Sequence, residues 1–298
     1  MDFDGLFDLI ASLDWKQYIG ARHGVRVLAH SRESQLSSTR TIQSIVHKSI
    51  LTQLTGSREV HWETDDSKSV IEISVDIYKD MATVLLNTSG ASLHERWYRT
   101  EQGEAPLKEN IAAWLLMLAG WDKKSPLFDP FCGSGTICIE AAMLAAGIAP
   151  GIARSFAFEE FVLFDGFVWD WMRAEGKGRM QHTTKWGIFW SDIDVNVLAK
   201  AKANADRAWV GHMIDFQEKH FLDVLFRSDS TEKVWCVTNP PYGVRLWEES
   251  LELVEDLVSA FVTHSVFGGF LLLRGALTPG LSTIELLNGQ QEVCFYKK

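Results

Sequence analysis

One stretch limits the fold of this chain more than any other: Leu127-Phe-Asp-Pro-Phe-Cys-Gly-Ser-Gly-Thr-Ile-Cys-Ile-Glu140. A short apolar run leads into a turn bearing Gly133 and Gly135, and an amphipathic segment follows. The pattern predicts a buried strand, a tight loop and a helix, with the loop at the carboxyl edge of a parallel sheet. Ligands of open α/β sheets settle at such loops, where the helix start presents free backbone N–H groups. Gly133 and Gly135 permit close backbone approach and positive φ. Asp129 adds a carboxylate at the strand end.

The residues around the turn narrow the ligand. A phosphate loop needs Gly-Lys-Ser/Thr, whereas Thr136-Ile137 follows Gly135 here. A dinucleotide turn needs a third glycine, and Cys138 occupies that place. An acidic residue beside a glycine turn suits a cationic ligand better than a pyrophosphate. S-adenosylmethionine, with its ammonium and sulfonium, fits.

A second motif, Thr238-Asn-Pro-Pro-Tyr-Gly243, follows the apolar run Val234–Val237. Consecutive prolines stiffen the backbone and remove donors while leaving carbonyls free to accept. The Asn239 side-chain oxygen and the Pro240 carbonyl can together accept from an exocyclic amine on a nucleobase. Tyr242 can stack on the base. At the end of a later strand, this motif complements the glycine loop as the two halves of an amino-methyltransferase site. Asp192, ending the strand Gly187–Ser191, is placed to reach ribose hydroxyls. Asp194 reads as a helix cap.

Strands and helices alternate from Leu107 onward, which predicts a doubly wound parallel sheet. Strands are expected at 127–129, 187–191, 234–238 and 267–273, with a closing hairpin around Asn288-Gly289. Helices are expected at 107–120, 135–146, 195–208 and 251–264. Before them, residues 2–14 suit a short amphipathic helix, 25–29 a strand, and Ser37 or Ser38 a cap for a helix reaching Leu54. Residues 70–78 alternate cleanly and return at 81–87, a hairpin with one wet face. The fold class is therefore α/β, a Rossmann-like doubly wound sheet preceded by a small α+β unit, with domains at 1–92 and 93–298. The aromatic run Phe156, Phe158, Phe161, Phe164, Phe167, Trp169 and Trp171 reads as a hydrophobic cover on the sheet.

The 298-residue length agrees with two domains, and 46% hydrophobic and 23% charged residues describe an ordinary globular protein. The acidic start does not resemble a signal peptide, and no apolar run approaches the ~20 residues that span a bilayer. Cys132, Cys138, Cys236 and Cys294 form no CxxC pair and show no zinc-ligand spacing. No metal, no membrane partner and a reduced, cytoplasmic setting are expected. A net charge of −10 argues against nucleic acid. Between Lys16 and Lys48, however, six basic residues face Glu33 alone. That segment can supply a local basic face.

These signatures resemble those of bacterial THUMP-domain RNA methyltransferases that make N2-methylguanosine, notably the amino-terminal part of the large-subunit rRNA enzymes. The resemblance runs through Arg96-Trp-Tyr-Arg99, Ala105-Pro-Leu-Lys-Glu109, the glycine loop, Ala149-Pro-Gly151, Ser191-Asp-Ile-Asp194 and Asn239-Pro-Pro-Tyr-Gly243. It implies a THUMP module over residues from about 15 to 90, with Arg22, Arg26, Arg40 and Lys48 on its RNA face. Asp129, Phe131, Gly133, Gly135 and Thr136 would hold S-adenosylmethionine, with Lys108 toward its methionine end. Asp192 would take the ribose, and Asn239, Pro240 and Tyr242 the target base. The RNA would be rRNA, or alternatively tRNA; a DNA adenine enzyme and a binding factor without turnover are the rival readings. Set against the resemblance, the family's preceding ferredoxin-like segment is expected to be almost wholly missing and a second methyltransferase is not expected, while His220 stands where relatives place an aspartate near the adenine.

Overall fold

The computed structural model describes residues 2–56, 69–100, 107–181, 187–220, 234–240, 255–259, 261, 266–273, 281–288 and 291–298. They fall into two compact units, one drawn from 1–92 and 155–171 and the other from 93–154 and 172–298.

In the first unit, Asp2 caps α1 (Phe3–Ala11) by accepting from the Gly5 amide at 2.8 Å. Strand β1 (His23–Arg32) leads to α2 (Thr39–Thr55), which Ser38 caps by accepting from the Thr41 amide at 3.3 Å. Strands β2 (Ser69–Tyr78) and β3 (Met81–Leu86) form the expected hairpin, and β1 lies parallel to β2 on its other side. The period-2 alternation buries Ile71, Ile73, Val75 and Ile77 against Ile42, Val46 and Ile50 of α2. Leu6 and Ile10 of α1 complete that core.

The aromatic run departs from the sequence expectation. Residues 155–171 fold with this first unit rather than with the sheet that flanks them in sequence. Phe161 enters its core, edge-on to Tyr18 at 5.6 Å, and the Leu163 amide donates to the Gln17 carbonyl at 2.8 Å. Phe167 and Trp171 cover nothing in the unit, being 82% and 61% exposed. They lie on a helix that apolar spacing had not disclosed, α5 (Gly166–Gly178), none of whose residues is buried.

The second unit opens with α3 (Glu109–Ala119), which leads into β4 (Leu127–Asp129) and α4 (Thr136–Ala146). Nine residues of α4, from Thr136 to Ala146, are buried, so this helix is core on nearly every side. Next come β5 (Ile188–Asp192), α6 (Val195–Arg207), β6 (Ile214–Glu218), β7 (Val234–Thr238) and β8 (Val266–Leu273). Residues 255–259 and 261 are helical, while the rest of the helix expected at 251–264 lies outside the described residues. The antiparallel pair β9 (Ser282–Asn288) and β10 (Gln291–Lys297) closes the chain.

The sheet order is β6-β5-β4-β7-β8-β10-β9, parallel from β6 through β8. The chain winds outward from β4 through β5 to β6, then returns to lay β7 on the other side of β4. The order therefore reverses between β4 and β7. In a doubly wound sheet the crevice opens at the carboxyl ends of the strands at this reversal. The two sequence motifs stand at those two strand ends.

Candidate functional site

The glycine loop is built from beneath. Gly135 has φ +87°, and a Cβ added there would stand 2.8 Å from the Trp190 ring and 3.1 Å from the Ala201 Cβ. Glycine is thus demanded by conformation and by packing together. Gly133 has φ +51°, and nothing lies within 4 Å of where its Cβ would be. The backbone of the loop is open on that side, as a cradle must be.

Four hydrogen bonds fix the loop. The Gly135 amide donates to the Cys132 carbonyl at 2.8 Å, and the Cys132 amide to the Ser191 carbonyl at 3.2 Å. The Gly133 amide donates to Asp192 Oδ2 at 3.1 Å. Asn204 Nδ2, from α6, donates to the Ser134 carbonyl at 3.1 Å. Asp192 Oδ1 accepts from the Asp194 amide at 3.1 Å, and Asp194 caps α6 by accepting from the Asn196 amide.

Asp129, expected at the strand end as a carboxylate for a cationic ligand, is withdrawn from solvent. It is 1% exposed, and burial raises its pKa to about 7. Its oxygens accept from Thr238 Oγ1 at 2.6 Å, the Phe131 amide at 3.2 Å and Cys138 Sγ at 3.7 Å. The Thr238 bond joins the end of β4 to the end of β7. Asp129 therefore serves as the pin between the two motif loops.

On the β7 side, Asn239 is half-buried and Pro240 buried. Asn239 Oδ1 is buried and meets no hydrogen-bond partner. A buried acceptor left unpaired is costly, so an incoming N–H donor gains a partner already oriented for it. Ser191 Oγ, at the end of β5, is likewise buried without a partner. An open glycine cradle flanked by two such atoms suits a polar ligand laid along the strand ends.

The remaining expected residues divide. Thr136 is buried at the first position of α4, and Phe131 is partly buried against Phe261 and its neighbours. Lys108 is the half-buried N-cap of α3 and makes no side-chain capping bond. His220 is exposed two residues beyond β6, at the same edge of the sheet. Tyr242 lies outside the described residues.

The four basic residues do not form one face. Arg22 pairs with Glu160 at 3.5 Å, and Arg26 with Glu72 at 3.7 Å. Arg26 alternates with Val25 and Val27, which join the core beneath α2, so it stands on the opposite face of the sheet. Arg40 and Lys48 are exposed on α2, whose other side enters the core. Strand alternation has split the basic segment between a helix surface and a sheet surface.

Sequence reading missed Thr238, Ser191 and a network centred on α6. Asn204 Oδ1 accepts from Arg207 Nη2 at 2.6 Å, and Arg207 Nε donates to the Tyr98 carbonyl at 2.9 Å. Tyr98 Oη donates to Glu140 Oε1 at 3.0 Å, while Arg96 Nε donates to the same oxygen at 3.1 Å. The available signal was Asn204 itself, a polar residue at the buried spacing of Leu198, Ala201 and Ala205. All four cysteines are free and buried. Burial pushes the thiols of Cys132, Cys138 and Cys236 well up, so these pack rather than attack. Among the described residues no cluster suits a metal ion, and no helix is long and apolar enough to cross a membrane.

Comparison with known proteins gives matches to methyltransferases. A family model described as the RMKL-like methyltransferase domain matches residues 96–267, and the THUMP domain model matches residues 1–87. YpsC of Bacillus subtilis (strain 168), a provisionally named RNA methyltransferase, is 34% identical over 274 residues, 91% of this chain and 70% of YpsC. The ribosomal RNA large subunit methyltransferase K/L of Shewanella sp. (strain ANA-3) is 35% identical over 273 residues. That match takes in 89% of this chain but 37% of the Shewanella protein, so the chain spans little more than a third of that relative. The crystal structure of SMU.472, a provisionally assigned methyltransferase complexed with SAH, aligns with a TM-score of 0.86 at 29% identity. The alignment covers 99% of this chain and 80% of that one.

Proposed function

The chain belongs to the RMKL-like methyltransferase family and carries a THUMP domain, and from that membership we propose that it methylates the N2 amine of a guanine in RNA, within large-subunit ribosomal RNA. Its methyl donor is S-adenosylmethionine, in keeping with SAH in the SMU.472 crystal. The observation that carries the reading is the 2.6 Å bond from Thr238 to Asp129, which holds the unpaired Asn239 acceptor beside the glycine loop.

Bound there, S-adenosylmethionine would supply a methyl group already activated by its positively charged sulfur. The protein's task is then to place the amine. Asn239 Oδ1 accepts one N–H of the exocyclic amine and the Pro240 carbonyl the other. Two acceptors fix the direction of the nitrogen and draw its lone pair out of conjugation with the ring. The positive charge that nitrogen acquires is shared by those oxygens until a proton leaves to solvent. Orientation of this kind can offset roughly 7–11 kcal/mol of barrier. Gly133 and Gly135 let the backbone approach the donor, Ser191 and Asp192 offer acceptors on the β5 side, and Asp129 keeps the halves in register. A base within paired RNA must first be turned out of its stack.

The test is methyl transfer from labelled S-adenosylmethionine to separate rRNA and tRNA fractions, with mass mapping of the modified nucleoside. N2-methylguanosine in large-subunit rRNA is the expected product. The Asn239→Ala variant should lose transfer by at least about a hundredfold while its affinity for S-adenosylhomocysteine changes little. Label in tRNA alone would reassign the substrate, and full activity in the variant would remove Asn239 from the chemistry.

A further inference from the structure

Arg99 is an anomaly among the buried charges of the second unit. Its side chain is 6% exposed. Nη1 donates to the Leu107 carbonyl at 2.7 Å and lies 3.0 Å from Glu109 Oε1, whose side chain is 3% exposed. Nε and Nη2, the opposite edge of the guanidinium, are buried and meet no acceptor. Two parallel N–H groups along one edge of a planar cation match a carboxylate bidentately. By contrast, Arg96 uses its Nε and Nη2 in this way on Glu140, at 3.1 and 3.4 Å.

The place of Arg99 in the fold says which anion would reach it. Leu107 and Glu109 form the start of α3, an eleven-residue helix whose N-cap, Lys108, provides no side-chain cap. Because α3 leads directly into the start of β4, its own N-terminus lies toward the carboxyl edge of the sheet, the edge that holds the glycine loop. The helix packs against α4 and against β7 and β8, on the far side of β4 from β5. The residue before Arg99 is tied to the loop through its carbonyl, Arg207, Asn204 and Ser134. A donor held with its ribose at Asp192 and its sulfur at the glycine loop would leave its amino-acid tail to run along the strand ends toward β7 and the start of α3.

We propose that the Nε–Nη2 edge of Arg99, set over the uncapped start of α3, binds the α-carboxylate of S-adenosylmethionine. The assignment rests on the cofactor reading above. Glu109 and the Leu107 carbonyl hold the guanidinium by its other edge, so the free fork is fixed before the ligand arrives. Lys108, expected near the methionine end from sequence resemblance, then flanks the site and Arg99 makes the directional contact.

The experiment is calorimetric titration of the full chain with S-adenosylhomocysteine and with its decarboxylated analogue, which keeps the adenosine and the amine. Wild type should favour S-adenosylhomocysteine by at least about tenfold. Arg99→Gln and Arg99→Lys should each lose most of that preference while affinity for the analogue changes less than about twofold. Because both ligands are titrated into one preparation, a partly misfolded variant lowers the number of sites without altering the ratio. Equal weakening toward both ligands, or a preference that survives in both variants, would overturn the assignment. A loss confined to RNA affinity would give the fork to a phosphate and overturn it too. Failure of wild type to bind either ligand would bring down the cofactor reading and this proposal together, an outcome distinct from those.

Discussion

Alanine at Gly135 and alanine at Gly133 should damage the protein in different ways. Both residues have positive φ, +87° and +51°, which costs an L-residue about 1–2 kcal/mol. Only at Gly135 does the added methyl collide, standing 2.8 Å from the Trp190 ring, itself 1% exposed, and 3.1 Å from Ala201 on α6. Overpacking of that kind adds about 1–3 kcal/mol, so Gly135→Ala should cost about 2–5 kcal/mol in all. Gly133→Ala should cost only the conformational part, about 1–2 kcal/mol, because its Cβ enters open space. At about 2–4 °C per kcal/mol, the melting temperature of Gly135→Ala should fall visibly below that of Gly133→Ala. Thermal melts followed by circular dichroism measure the difference, and titration with S-adenosylhomocysteine completes it. The methyl at Gly133 enters the open side of the loop proposed to hold the donor, so that variant should lose affinity out of proportion to its modest loss of stability. Equal stability of the two variants would refute the claim that Trp190 and Ala201 support the loop from beneath.

Asp129→Asn should flatten the pH dependence of stability between about pH 4 and 7. The carboxyl has its pKa raised by burial from 3.8 to about 7, so over that window the folded chain keeps a proton the unfolded chain has lost. Stability contributed by the protonated form is complete below pH 3.8 and is lost as pH rises toward 7, by at most about 4 kcal/mol. Urea midpoints measured across this range should converge for the two proteins on the acid side and separate in favour of the Asp129→Asn variant on the neutral side; parallel profiles would remove the buried-acid assignment. Arg40→Glu combined with Lys48→Glu should weaken RNA binding and lower its salt slope, while Arg26→Glu, already facing Glu72, should do less. Filter binding at several salt concentrations decides this, and a larger effect at Arg26 would move the RNA to the open face of the sheet.

What could be read from the sequence was whatever depends on local pattern. Glycine spacing after an apolar run placed the loop from β4 to α4, alternation placed the β2–β3 hairpin, and Asn239-Pro240 fell at a strand end as the apolar run before it required. What escaped depends on which side of an element faces the interior. The charge of Asp129 was read as available because nothing in its neighbours along the chain announces the Thr238 hydroxyl 109 positions away. Arg26 and Arg40 looked like parts of one basic segment, yet one is held by strand alternation and the other by helical rotation, and the two periods send them to opposite surfaces. The aromatic run was taken as a single cover because composition does not distinguish Phe161, in the core, from Phe167, on the outer side of a helix.

The site itself joins these two kinds of information. Each loop is legible alone, but their approach follows from a crossover that returns β7 to the side of β4, a property of strand order. Strand order brings the loops near each other without setting their register. The pairing of Leu127 with Trp235 and of Phe128 with Cys236 sets it, and the Thr238–Asp129 bond then ties the last residue of β7 to the last residue of β4, so the residue that follows Thr238 emerges at the strand end that feeds the glycine turn. A slip of one position would turn every side chain of β7 to the opposite face and take Val237 out of the core it shares with Leu127, since side chains alternate along a strand. The alternation of apolar side chains thus specifies the register, the bond to the buried acid locks its end, and the register delivers the Asn239 amide to the strand end beside the glycine turn.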